Sequence, residues 1–202
     1  MSRKRRRASK VKAVNVKPAV VKSRRLEVVI LALVLAGVPF ILGKYMEFNS
    51  PGAFDSGAYV YSAKHILEGA RIGIEEQTSA QPGTLLVNVI GVWLFGFSEI
   101  GPKLIQGLLQ AGALVFMFWT MRRLFGWAAA VVGVTVAAVY LSAPVIAKFG
   151  NVKEQYMIAF MLLGGCCFVL GQMEGKWWWK VLTGAVLINC LLYTSPSPRD
   201  RS

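Results

Sequence analysis

Long apolar runs, broken by short charged punctuation, set the pattern of this chain. Residues 26–43, 103–121, 127–146 and 154–170 each approach the length that carries an α-helix across a hydrocarbon layer, and a fifth run starts at Val181. Hydrocarbon offers the backbone no hydrogen-bond partner, so only helices and closed barrels are stable there. These runs are too long and unbroken for barrel strands. The pattern predicts an all-α fold, a polytopic transmembrane helix bundle over residues 26–189.

The segment between the first two runs, 44–101, is expected to lie outside as one loop. Within it Tyr59, Val60, Ala63, Ile66 and Leu67 fall on one helical face, at offsets of 0, 1, 4, 7 and 8. Ser62, Lys64, His65 and Glu68 point elsewhere. Such a helix is expected to lie flat with its apolar side in the headgroup boundary. Residues 84–97 are also apolar. They number only about fourteen, contain Asn88 and follow Pro82-Gly83, which suits an interfacial or re-entrant helix better than a crossing. Placed at the surface, this helix leaves Arg122, Arg123, Lys176 and Lys180 on the same side as the basic N-terminus. The first outer loop is therefore expected to carry two juxtamembrane amphipathic helices. Residues 172–180 read as a polar turn, with Trp177, Trp178 and Trp179 forming an interfacial belt.

Composition agrees: 55% of the 202 residues are hydrophobic and 16% charged, which excludes an ordinary soluble domain. The net charge of +13 comes largely from residues 1–25, which hold no acid. A basic arm can bind nucleic acid. This one runs directly into an apolar helix, so it reads more simply as a disordered cytoplasmic tail that fixes orientation and touches anionic lipid, with no nucleic-acid partner. The expected location is a multi-pass cytoplasmic membrane protein with its N-terminus inside. Cys166 and Cys167 read as small packing residues, and no disulfide or metal-ligand spacing is present.

Residues 190–200, Cys-Leu-Leu-Tyr-Thr-Ser-Pro-Ser-Pro-Arg-Asp, resemble an in-frame translation of a transposase adaptor end from short-read sequencing libraries. That resemblance implies that residues 190–202 are not native and that the chain is the first part of a longer gene product, inactive alone.

The chemistry-bearing residues are few. Asp55 stands at or next to the start of the first outer-loop helix, where capping is its plainest role. Glu154 opens the fourth apolar run, where an acid favours the helix N-terminus. Lys103 reads as a snorkelling residue at an interface, and His65, Glu75 and Glu76 as solvated. Together, Asp55 and Glu154 are expected at one membrane face. A carboxylate there can act as general base on an acceptor hydroxyl. The acceptor would attack an anomeric carbon as a lipid phosphate leaves, with Lys64, Arg71 or Lys103 steadying that phosphate.

Asp55 followed by Tyr59, Ala63, Leu67 and Gly69, then Leu94-Phe95-Gly96, Ser98 and Lys103-Leu104, then Arg122-Arg123-Leu124-Phe125-Gly126, resemble the N-terminal part of GT-C superfamily glycosyltransferases. The similar branch is the protein-mannosyltransferase and aminoarabinose-transferase-like group. The resemblance implies a polyprenyl-phosphate sugar donor, a catalytic acid at Asp55 and a second acid at Glu154. It leaves open a divalent metal, which some branches use. The chain departs from the group at Gln81-Pro82-Gly83, where Lys/His-Pro-Pro is usual. Two other classes compete: a transporter or flippase of lipid-linked glycans, and a membrane protein binding anionic lipid through its tail. The first needs polar residues buried along its helices, and the apolar runs are expected to hold almost none.

Overall fold

The computed structural model describes residues 19–76, 80–143 and 148–191, with side chains from Leu26 to Ile188 inside those segments. The basic tail up to residue 18 and the adaptor-like residues from 192 lie outside them. Among the described residues the fold is all-helical, with one isolated bridge, Ile72 to Glu76, and no strand.

The first helical rod comprises α1 (Ala19–Ala32), a π turn (Leu33–Gly37) and α2 (Val38–Asn49). The π turn has a local cause. Pro39 has no N–H for the carbonyl four residues back, and its ring crowds that carbonyl, so the helix widens just before it. The rod does not end at Gly43 as expected. It continues to Asn49, and Lys44 and Glu47, expected in a solvated loop, are buried within it.

Helix α3 (Phe54–Leu67) packs on α4 (Pro82–Phe95). Val60 and Ala63 meet Val89 and Val92, so much of the face expected to rest in headgroups is covered by protein. Leu67, at the end of that face, stays 43% exposed. Helix α4 has the short length read from its apolar run, with Pro82 opening it where a missing N–H costs nothing. Gly96 ends it at φ 77°. Helix α5 (Ile100–Phe125) then crosses α4 with backbones in contact. A Cβ on Gly101 would stand 2.3 Å from the Gly91 carbonyl oxygen.

Gly126, at φ 86°, joins α5 to α6 (Trp127–Ser142). The sixteen residues of α6 rise roughly 24 Å, short of the roughly 30 Å of a hydrocarbon core. The rest of the run expected to 146 falls largely in residues 144–147, outside the described segments. Helix α7 (Lys153–Glu174) ends at Gly175, and α8 (Trp177–Leu191) follows. The expected polar turn is thus only Gly175-Lys176, and the three tryptophans form the first turn of α8, with Trp179 buried. Gly171 lets α7 approach Trp179. Cys167 packs in this layer with Leu170 and Trp179.

The rod from Leu26 to Asn49, α5 and α7 are long and apolar enough to cross a membrane; α4, α6 and Trp177–Ile188 are shorter apolar helices. Ala36, Leu114, Val134, Ala138 and Leu141 form the core between the rod, α5 and α6. Beside it lies an apolar groove of about 480 Å³, flanked by Val29, Leu33, Phe40, Ala111 and Phe118.

Candidate functional site

The end of the bundle where α2 finishes and α3, α4, α5 and α7 begin is built on buried polar groups. Glu47 is the first organiser. It takes an ion pair from Lys44 one turn earlier, and Gln106 of α5 donates to its other oxygen at 2.8 Å. Two charges withdrawn from water remain stable only when each finds its counterpart; here they pair with each other, Gln106 adds a bond to Glu47, and Lys44 lies over the Phe40 ring. Lys103, 2% exposed, donates to the backbone oxygens of Glu47 (3.1 Å) and Ser50 (2.9 Å) and pairs with Glu99 (3.0 Å). It closes the turn between α2 and α3 and does not snorkel.

Asn151 is the second organiser. Its amide donates to Ser56 of α3 (2.9 Å) and to Asn88 of α4 (2.9 Å). Its oxygen accepts from Asn88 (3.1 Å) and from the Tyr156 hydroxyl (3.0 Å), and its backbone N–H donates to Gln106 (2.8 Å). It closes a loop in which Lys148, Phe149, Gly150 and Asn151 all have left-handed φ, at 48°, 58°, 87° and 52°. Gly and Asn tolerate that region; Lys and Phe rarely enter it. Gly150 lies flat on Glu47, where a Cβ would stand 2.0 Å from the carboxylate oxygen.

The two candidate acids stand over this network. Asp55 is the second residue of α3 and exposed; the N-cap is Ala53, and no side-chain cap bond forms, so the expected capping role is not the one observed. Glu154 lies in the first turn of α7, half-buried and 3.5 Å from Lys148. Burial, and then the negative charges of Asp55 and Glu154, push the buried Tyr59 phenol up to about 12. The two acids are ninety-nine residues apart in the sequence, and the Asn151–Ser56 bond brings their segments together. Glu99 behaves in the opposite sense: burial raises its pKa, but bonds from Lys103, Ser56 and the Gly52 N–H outweigh burial and hold it below the usual carboxylate range.

The cations expected at the site are not gathered there. Lys64 is nine residues beyond Asp55 on α3, roughly 14 Å along the axis, paired with Glu68 and over the Phe97 ring. Arg71 is exposed in the loop after α3. The cation beside an acid is Lys148, whose position in a left-handed turn no local pattern announces. His65 and Glu76 are not simply solvated either: the Glu76 carboxylate accepts from Ser62 (2.7 Å) and lies 3.0 Å from the His65 ring.

Gln110 and Gln155 are buried and bonded at 2.7 Å, with Thr120 further along α5. The expectation that the long helices hold almost no buried polar groups is thus corrected. Among the described residues no group of three or more His, Cys, Asp or Glu is placed to hold a metal ion. Comparison with protein-family models, with curated proteins and with solved structures finds no match.

Proposed function

We propose that this chain is the N-terminal part of a polytopic membrane glycosyltransferase of the GT-C type, transferring a sugar from a polyprenyl-phosphate donor to an acceptor outside the cytoplasm. The observation that carries the reading is the bond from Asn151 to Ser56, which brings the segments bearing Asp55 and Glu154 together over a buried polar network, beside helices apolar and long enough to cross a membrane. Asp55 is exposed and takes the acceptor hydroxyl proton as the acceptor oxygen bonds to the anomeric carbon. The bond from that carbon to the phosphate oxygen breaks with inversion, and polyprenyl phosphate leaves. Glu154 orients the acceptor. Lys148 is the cation placed to meet the leaving phosphate, while Lys64 and Arg71 serve the wider mouth. Lys103 holds the floor and does not touch substrate.

The test is sugar transfer by the uninterrupted gene product reconstituted with polyprenyl-phosphate sugars. Asp55→Asn keeps the shape and removes the base; the expected loss of rate is about 10²–10⁴-fold. A wild-type rate in that variant would overturn the reading. Removing residues 1–25 should leave transfer largely intact. The buried Gln110–Gln155 pair keeps a flippase of lipid-linked glycans as the second reading. Movement of such a lipid between leaflets, without transfer, would favour it.

A further inference from the structure

We infer that Asn151 is a positioning residue that holds the segments carrying Asp55 and Glu154 in one fixed geometry. Asn151 lies three residues before Glu154, and its amide donates to Ser56, the residue after Asp55, at 2.9 Å. A carboxamide offers two N–H donors and two oxygen lone pairs. Here all four are used, by Ser56, by Asn88 twice and by Tyr156. Turning the amide in either direction breaks several bonds at once, so its orientation is locked. Ser56, fully buried, accepts from Asn151 and donates its own O–H to the Glu99 carboxylate. The chain of bonds thus runs from the loop before α7 through α3 to the residue that precedes α5.

The loop itself needs this fastening. Four consecutive left-handed residues persist only where their surroundings over-determine them. Asn151 ties one end of the run and Glu47 backs Gly150. Released, the loop relaxes toward right-handed backbone, and Glu154 and Lys148 move away from Asp55. The helices, held by apolar packing elsewhere, stay in place. The consequence for catalysis rests on the proposed function above; the geometry does not.

The test is a distance measurement that needs no substrate. Spin labels are placed at positions 55 and 154, and as a control at Phe125 and Met173 at the other end, with Cys166, Cys167 and Cys190 changed to alanine. Pulsed electron-spin distances are read in nanodiscs. The expected result is one narrow 55–154 distance, which splits or widens in Asn151→Ala while the 125–173 distance is unchanged. An unaltered 55–154 distance overturns the inference. Should Asn151→Ala disturb both pairs, Ser56→Ala, which cuts the tie to α3 and the bond to Glu99 but leaves the other bonds of Asn151, decides. Widening confined to the 55–154 pair, and restored by Ser56→Thr, supports the inference, and any other result overturns it. In the transfer assay Ser56→Ala is expected to lower kcat with KM little changed, and Ser56→Thr to recover it. A widened distance with no measurable transfer in wild type would overturn the enzyme reading and leave the positioning role standing.

Discussion

The two ends of the bundle are fastened by different means. At one end Glu47, Lys103, Gln106 and Asn151 are buried and bonded across segments 45 to 95 residues apart. At the other, Arg123 pairs with Glu174 and stacks over Trp119, Arg122 lies over Trp127, and the helices turn at Gly126 and Gly175. Arg123 and Glu174 are 43% and 20% exposed there, and the turns join neighbours in sequence. The second end closes the topology cheaply. The first fixes the positions of side chains that topology alone would leave loose, and it carries the two candidate acids.

Substitutions should separate the two ends by size of effect. Glu47→Ala leaves Lys44 buried without its partner and is expected to cost about 3–5 kcal/mol in denaturant unfolding in detergent. Gly150→Ala comes next. Left-handed backbone alone costs about 1–2 kcal/mol for a residue with a Cβ, and displacement of Glu47 adds to it. Glu99 gives a pH signature. Its folded pKa is depressed, so its contribution is present above the unfolded value of about 4.3 and is lost as pH falls below it. Glu99→Gln should flatten the acid limb of a thermal-stability profile. At the other end Arg123→Ala removes an exposed pair and is expected to cost about 1 kcal/mol or less. Equal losses for Glu47→Ala and Arg123→Ala would erase the contrast.

The same division governs what the sequence revealed. Helices α5 and α7, the short α4 and the all-α class follow from apolar run lengths, which are local. That the segments carrying Asp55 and Glu154 lie at one end of the helices is legible by counting helices. Lys44 and Glu47 misled, because charges closing an apolar run ordinarily signal the end of a helix. Their partner Gln106 lies 59 residues from Glu47, beyond any periodic pattern. Gly150-Asn151 is a recognisable turn signal, but nothing in their residue types announces left-handed Lys148 and Phe149. Lys103 has the sequence context of an interfacial cation, since nothing nearby announces the backbone oxygens of Glu47 and Ser50 that the end of α2 brings to it.

The π turn at Leu33–Gly37 sets the angular phase of the first rod. One additional residue within a helix advances everything after it by about 100° around the axis. The half before the turn presents Val29 and Ala32 to the groove, and the half after it presents Glu47 to Gln106. Shortening the turn by a single residue would swing that carboxylate roughly a quarter-circle off its amide while leaving the greasy half of the rod undisturbed.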